Sequence, residues 1–142
     1  LSSLRMGDSF FSDAGGLFDT QPTPASTLLG MSEKKRRNVL FVCTANQQRS
    51  PTAEQMYRDD PRFEVRSAGT DALFGREVTS GDLQWADLVV VMESRHEHKI
   101  RRYFPEESSG VKLVVLDIPD IYQYMEITLQ REIRSRFEPL VE

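Results

Sequence analysis

The residues of this sequence whose types and spacing best suit catalysis are Cys43, Arg49 and Ser50, which follow a short apolar run. Residues 39–42 are the kind of run that forms a strand buried on both faces. Ser50 can cap a helix, and Pro51 suits the first helical position because its missing N–H would be unpaired there. The segment therefore predicts a strand, a loop and a helix start, where loop N–H groups and the helix dipole would bind an oxyanion.

Cys43 is the only cysteine in the sequence, and its predicted surroundings favour the thiolate over the thiol. The positive end of the helix and the fixed charge of Arg49 both stabilise the anion. The planar guanidinium of Arg49 can also bind two oxygens of one tetrahedral anion. The spacing Cys-x5-Arg-Ser-Pro therefore predicts attack of Cys43 on phosphorus, and it disfavours the alternative of a buried structural thiol.

The same segment resembles the phosphate-binding loop of the low-molecular-weight protein tyrosine phosphatases, Cys-x-Gly-Asn-x-Cys-Arg-Ser-Pro. It looks closer still to a short bacterial branch of predicted protein tyrosine phosphatases. Further similar motifs lie at residues 67–70, 85–92 and 116–122, so the resemblance spans residues 39–142. Two residues depart from the motif: Ala45 replaces a glycine, which leaves the loop geometry open, and Gln48 replaces a second cysteine, which removes the family's usual disulfide partner.

The resemblance implies hydrolysis of phosphotyrosine or a small aryl phosphate through a cysteinyl-phosphate intermediate, without a cofactor or metal. Phe74 and Tyr122 are the candidates for the wall against the substrate ring, and the alternative for Phe74 is a residue that only packs over the edge of the core. From their chemistry, Ser50 is expected to donate a hydrogen bond to the thiolate, and Asn46 to tolerate a left-handed backbone. The expected phosphate-binding residues are Thr44, Ala45, Asn46, Gln47, Gln48, Arg49 and Ser50.

Two carboxylates compete for the role of general acid, Asp117 and Asp120. When the fourth strand is aligned to the larger family without gaps, Asp117 falls at the position of that family's acid. When the family's Asp-Pro-Tyr segment is matched to residues 120–122, Asp120 falls there instead. Pro119 stiffens the turn and would carry Asp120 beyond the sheet edge, over the phosphate loop. Asp117 would remain close to strand geometry and hold the loop, so Asp120 is the preferred candidate.

Three other functions remain open at this point. The loop is also similar to that of the RNA polymerase II C-terminal-domain phosphatases, which would mean phosphoserine as the substrate. An arsenate reductase on this scaffold would need an external thiol, because Cys43 is the only cysteine. A phosphate-binding module without turnover is the non-enzyme alternative, and the presence of Cys43, Arg49 and a nearby aspartate disfavours it.

The elements that must position these residues alternate between strand and helix along the chain. This alternation predicts an α/β fold in three layers, a parallel sheet with helices on both faces and a ligand site at the carboxyl ends of the strands. The resemblance implies four strands in the order 2-1-3-4. The predicted strands are residues 39–42, 63–67, 87–92 and 112–118, and the predicted helices are residues 51–58, 79–85, 95–104 and 124–138.

Two patterns in the predicted helices could indicate a metal site or a cofactor site. His96 and His98 lie two positions apart, so they point to different faces of their helix and make an unlikely metal pair; both are assigned to solvent. The last predicted helix carries an apolar stripe at helical spacing, which predicts core rather than a cofactor site. The stripe consists of Met125, Leu129, Ile133 and Phe137.

Composition limits the partners and the compartment. The formal net charge of −4 gives no general attraction to nucleic acid, so anion binding must be local. No stretch has the length and apolarity of a membrane span. A single cysteine allows no internal disulfide, which is consistent with a reducing cytoplasm. The predicted partners are a phosphorylated protein or small aryl phosphate, with inorganic phosphate as product or competitor.

The N-terminal quarter of the chain lacks a sustained period of either strand or helix. Residues 1–37 are therefore interpreted as a leader or linker, and residues 38–142 as the phosphatase domain. The alternative for residues 1–37 is a segment that docks on the domain or on a second copy of the chain. Met31 is a candidate start because a polar run leads from it into the first strand.

Overall fold

The computed structural model describes residues 36–71, 73 and 75–141. Of the predicted leader only Arg36 and Arg37 are described, and Arg37 already belongs to the first strand. The elements in chain order are β1 (Arg37–Cys43), α1 (Arg49–Tyr57), β2 (Phe63–Gly69), α2 (Ser80–Trp85), β3 (Leu88–Val91), α3 (Ser94–Tyr103), α4 (Pro105–Ser109), β4 (Lys112–Val115) and α5 (Ile127–Val141).

The four strands form one parallel sheet in the order β2-β1-β3-β4, which confirms the predicted fold class and strand order. Cys43 at the end of β1 pairs in register with Gly69 at the end of β2. On the other side, Val42 pairs with Val91, which in turn pairs with Val115. The carboxyl ends of all four strands therefore meet at one edge, and Cys43 lies at its centre.

Each face of the sheet carries its own layer of apolar side chains, because successive residues of a strand point to opposite faces. One layer joins β1 and β3 to α1 and α5, and it includes Val39, Phe41, Val90, Tyr57, Ile133 and Phe137. The other layer joins the same strands to α2 and α3, and it includes Leu40, Val42, Val89, Val91, Leu83 and Ile100. Two packed layers hold β1 rigidly, so the position of Cys43 is fixed by the core.

Helix α1 begins earlier than the sequence suggested, and Ser50 is not its cap. Gln48 is the N-cap, and its carbonyl accepts the first helical hydrogen bond from the Thr52 N–H at 3.0 Å. Pro51 still lies in the first turn, where a missing N–H costs nothing. The prediction failed because that tolerance extends beyond the first helical position, so Pro51 did not mark the helix start.

The segment after β3 also differs in detail. Glu93 is the N-cap of α3, and Ser94 is its first helical residue, one position before the predicted start. Pro105 opens the short helix α4, a position that proline favours.

Strand β4 ends sooner than predicted. The strand ends at Val115, and Asp117 turns the chain with a φ of 60°. Helix α5 begins only at Ile127, and Met125 lies before it with a φ of 62°. The rest of the predicted stripe, Leu129, Ile133 and Phe137, is fully buried in the core, as expected.

Candidate active site

Residues 44–48 form the loop between β1 and α1, and Asn46 shapes it. Asn46 has a φ of 57°, in the left-handed region that asparagine tolerates. Its side-chain amide donates to the hydroxyls of Ser50 and Ser67, both at 3.0 Å. Ala45 keeps a negative φ, so the glycine of the family motif is not required for this loop backbone.

Cys43 lies at the base of this loop with 3 % of its surface exposed. Its Sγ is 2.9 Å from Ser50 Oγ, inside the first turn of α1. Ser50 Oγ also lies 3.2 Å from the carbonyl oxygen of Ala68 and accepts from Asn46. The single hydroxyl proton of Ser50 can therefore turn from the carbonyl to a thiolate at Cys43, which stabilises the anion.

Arg49 is 1 % exposed, and most of its donors are already used. Nη1 donates to Glu93 Oε1 at 2.9 Å and to the carbonyl of Ile118 at 2.7 Å, which satisfies both of its N–H groups. Nη2 lies 3.4 Å from Thr44 Oγ1. The Nε and Nη2 edge of the guanidinium is left for an oxyanion, and two parallel donors suit bidentate binding.

Glu93, at the N-terminus of α3, holds Arg49 in this orientation. Burial opposes ionisation of Glu93, but its hydrogen bonds with Arg49 and Arg95 outweigh that cost, so the pKa of Glu93 is lowered. The carboxylate is therefore ionised at neutral pH and pairs with a guanidinium that is almost fully buried.

The two candidate acids lie in different surroundings. Asp120 Oδ1 is 3.9 Å from Arg49 Nε, and the Asp120 side chain is 56 % exposed. Asp117 is exposed, its carbonyl accepts from Arg136 at 3.2 Å, and it makes no side-chain hydrogen bond with the residues described here. The expectation that Asp117 keeps near-strand geometry is wrong, because the sheet ladder ends two residues earlier. Only Asp120 lies beside the free edge of Arg49.

His96 is buried, so the prediction that it lies in solvent with His98 is wrong. It is 1 % exposed and hydrogen bonded on both ring nitrogens. The Glu93 backbone N–H donates to Nδ1 at 3.0 Å, and Nε2 lies 2.8 Å from Thr44 Oγ1. His98 is exposed, as predicted. Burial of the ring, then the charges of Arg49 and Arg95, lower the pKa of His96 from 6.5 to about 4.

The lowered pKa of His96 predicts a pH dependence of stability. Between about pH 6.5 and about pH 4 the unfolded chain binds a proton on His96 and the folded chain does not, so stability falls as the pH falls through this window. Between about pH 7 and about pH 4.5 the free energy of unfolding should drop about 2–3 kcal/mol more in the wild type than in His96→Gln. Denaturant unfolding at both pH values measures this, with the exposed His98→Gln as control. Equal drops in the wild type and both variants would contradict the assignment.

The loop after β2 packs directly onto the phosphate loop. The Thr70 and Asp71 N–H groups donate to the carbonyls of Cys43 and Thr44, both at 2.9 Å. A Cβ on Gly75 would lie 2.6 Å from the Ala45 carbonyl oxygen, a contact too close for any side chain.

The two predicted wall residues have different outcomes. Phe74 lies outside the described residues. Tyr122 is half-buried and packs against the core layer that contains Cys43.

Gly75→Ala should displace the phosphate loop, since the atoms in the way are the carbonyl oxygens of Ala45 and Asn46 and the Cβ of Asn46. We expect kcat/KM on an aryl phosphate to fall about 10- to 100-fold, the loss expected from a misplaced reacting group. Gly81→Ala is the matched control, because its new Cβ would meet nothing closer than Thr79 Oγ1 at 3.8 Å. If both variants keep wild-type activity, the packing of the two loops does not control the site.

Three residues of this site were missed or undervalued from the sequence. The sequence predicts no role for Glu93, predicts that His96 lies in solvent, and marks Ser67 only as part of the motif at residues 67–70. One signal was available for His96: it is the third residue of α3, where a side chain can reach back to the N-cap N–H. Nothing local in the sequence indicates its bond to Thr44.

Two further features of the described ranges concern metal binding and membrane insertion. No group of three or more His, Cys, Asp or Glu side chains lies close enough to hold a metal ion there. In the same ranges, no helix combines the length and apolarity required to cross a membrane.

Comparison with known proteins places the chain in a phosphatase family. Residues 38–81 match the family model for low molecular weight phosphotyrosine protein phosphatase. The chain is 30 % identical over 115 residues to the low molecular weight protein-tyrosine-phosphatase Wzb of Escherichia coli K12, and this match covers 61 % of the chain and 78 % of Wzb. The chain belongs to the low-molecular-weight protein tyrosine phosphatase family.

Solved structures of similar sequence share the fold. The low molecular weight phosphotyrosine phosphatase from Vibrio cholerae O395 is 26 % identical, with a TM-score of 0.61 and coverage of 74 % of this chain and 94 % of that one. The YwlE arginine phosphatase from Geobacillus stearothermophilus is 27 % identical, with a TM-score of 0.55 and coverage of 73 % and 87 %. The scaffold therefore carries phosphatases with different phosphorylated residues as substrates.

Proposed function

We propose that this protein hydrolyses phosphotyrosine or a small aryl phosphate through a cysteinyl-phosphate intermediate. The observation that carries the proposal is the position of Cys43 Sγ at the base of an anion-binding loop, beside a buried Arg49 whose Nε and Nη2 edge is free. Residues 44–50 supply the phosphate-binding groups. The names of the relatives support the same activity.

In the first step the Cys43 thiolate attacks phosphorus in line with the departing phenolic oxygen. The S–P bond forms, the P–O bond breaks, and its electron pair goes to the phenolic oxygen, which takes a proton from Asp120. The loop N–H groups and Arg49 stabilise the equatorial oxygens during transfer. Asp120 is suited to this role because it lies 3.9 Å from Arg49 Nε and reaches solvent.

In the second step water attacks phosphorus and the S–P bond breaks. Asp120, now ionised, takes the proton from the water, and the electron pair returns to Cys43 Sγ. Ser50, 2.9 Å from Sγ, donates to the sulfur as it leaves, which lowers the energy of the thiolate product. Inorganic phosphate is then the product and a competitive inhibitor. Phe74 and Tyr122 are the proposed walls for the aromatic ring.

A panel of substrates tests the proposal. Phosphotyrosine peptide and phenyl phosphate should be hydrolysed well, and phosphoserine peptide, phosphoarginine and arsenate with an added thiol should react far more slowly. A preference for phosphoserine or phosphoarginine would keep the cysteine mechanism but replace the substrate class. Faster reduction of arsenate would favour the reductase. Tight phosphate binding without any turnover would mean a binding module and would overturn the proposed activity.

We also propose the cytoplasm as the working compartment. Cys43 is the only cysteine in the chain, and a thiolate nucleophile requires a reducing environment to stay active. Fractionation of the cells with an antibody to this protein would test the assignment.

A further inference from the structure

The hydroxyl of Thr44 has two donors directed at it and no partner for its own proton. His96 Nε2 lies 2.8 Å from Thr44 Oγ1, and Arg49 Nη2 lies 3.4 Å from the same oxygen. A hydroxyl has two acceptor lone pairs and one proton. Among the described residues, no acceptor is hydrogen bonded to that proton.

The tautomer of His96 settles which group donates. The backbone N–H of Glu93 can only donate, so His96 Nδ1, 3.0 Å away, must be the unprotonated nitrogen. The neutral ring then carries its proton on Nε2 and donates it to Thr44 Oγ1. Because both donors occupy the lone pairs of Oγ1, the Thr44 O–H is left to point at a further acceptor.

We propose that Thr44 donates a hydrogen bond to an oxygen of the bound phosphoryl group, and that His96 is the residue that positions this hydroxyl. The proposal rests on the proposed function, since it adds a donor to the same anion site. An oxyanion on the free edge of Arg49 would contact Nη2, and Thr44 Oγ1 is that nitrogen's neighbour. Thr44 is also the first residue of the loop after Cys43.

Fixed orientation is what His96 contributes. A free threonine hydroxyl rotates among several acceptors, whereas a second donor on its oxygen restricts the direction of its proton. A buried ring that is anchored by the α3 N-terminus provides such a donor without adding charge to the site. Thr44 therefore binds the substrate directly, and His96 acts only through Thr44.

Substitutions at Thr44 test the direct contact. Thr44→Val keeps the shape and removes the hydroxyl, so the Kd for inorganic phosphate should rise about tenfold or more, the size expected for a lost hydrogen bond to a charged acceptor. Thr44→Ser retains the hydroxyl and should stay within about threefold of wild type.

Two substitutions at His96 separate positioning from support of the fold. His96→Gln carries a donor at the reach of Nε2 and should largely keep phosphate affinity. His96→Asn carries an acceptor at the reach of Nδ1, so it can satisfy the Glu93 N–H, but it cannot reach Thr44. If His96 only supports α3, His96→Asn should be the milder change; the proposal expects the opposite order. His98→Gln, on the same helix and exposed, is the control.

The decisive measurement is calorimetric titration of inorganic phosphate into each folded variant, with Thr44→Val combined with His96→Asn as a double variant. The proposal expects the double variant to bind no more weakly than Thr44→Val alone, because His96 acts through the absent hydroxyl. Unchanged affinity in Thr44→Val, or fully additive losses, would overturn it. These titrations do not depend on turnover, so failure of the proposed hydrolysis would appear separately, as wild-type protein that binds phosphate but releases none from phosphotyrosine.

Discussion

Cys43→Ser should lose turnover of aryl phosphates by on the order of 10⁴-fold or more, while it still binds phosphate. A serine hydroxyl is not ionised near neutral pH, and no general base lies next to Sγ, whose described hydrogen-bond partner is Ser50. Steady-state kinetics on phenyl phosphate measures the loss.

The control for this variant is binding rather than activity. Sγ is buried and the change is nearly isosteric, so the thermal unfolding midpoint and the Kd for phosphate should stay close to wild type. Retained binding with lost turnover assigns the sulfur to chemistry. A variant that keeps more than a small fraction of the wild-type rate would show that Cys43 is not the nucleophile.

Asp120→Asn should slow hydrolysis about 10²–10⁴-fold for a substrate with a poor leaving group. An asparagine cannot protonate the departing oxygen, and Asp120 is the carboxylate beside the free edge of Arg49. Phenoxide needs that proton more than nitrophenoxide does, so phenyl phosphate should be affected far more than nitrophenyl phosphate. The ratio of the two kcat/KM values, in wild type and variant, is the measurement.

Asp117→Asn is the matched control, three residues away on the same segment. Its side chain is exposed and makes no hydrogen bond with the described residues, so the ratio for the two esters should not change. Leaving-group dependence in Asp117→Asn, and its absence in Asp120→Asn, would exchange the two roles.

The sequence predicted what depends on local order. The apolar run at residues 39–42 predicted a buried strand, and the spacing from Cys43 to Arg49 and Ser50 predicted a loop that binds one anion. Those residues are close along the chain, so their shared role in anion binding can be predicted without knowledge of the fold. The strand order 2-1-3-4 was available only through the family resemblance, since alternation alone predicts parallel strands but not their sequence in the sheet.

The contacts that orient the site join distant segments and could not be predicted. Arg49 is held by Glu93 and by the carbonyl of Ile118, and His96 reaches Thr44 across the sheet edge. Because the first turn of α3 is polar, the sequence predicts that His96 is exposed to solvent. The fold buries it against Thr44 of the phosphate loop.

Apolar pattern was also a poor guide to where β4 ends. Leu116 and Ile118 are buried, and their N–H groups donate to the carbonyls of Val91 and Met92, although both residues lie beyond the last residue of β4. Asp117, between them, has a φ of 60°, and this left-handed residue interrupts the regular strand geometry. Burial and strand geometry are different properties, and the sequence reports mainly the first.

Trapping the phosphorylated enzyme is a direct test of the cysteinyl-phosphate mechanism. Wild-type protein would be mixed with an activated aryl phosphate, quenched in acid within the first turnover and digested for mass spectrometry. We expect a phosphoryl group on the sulfur of the peptide that contains Cys43, and no such peptide from Cys43→Ser at the same time point. Turnover with no phosphorylated peptide at any time, or with the group on another residue, would contradict the cysteinyl-phosphate mechanism.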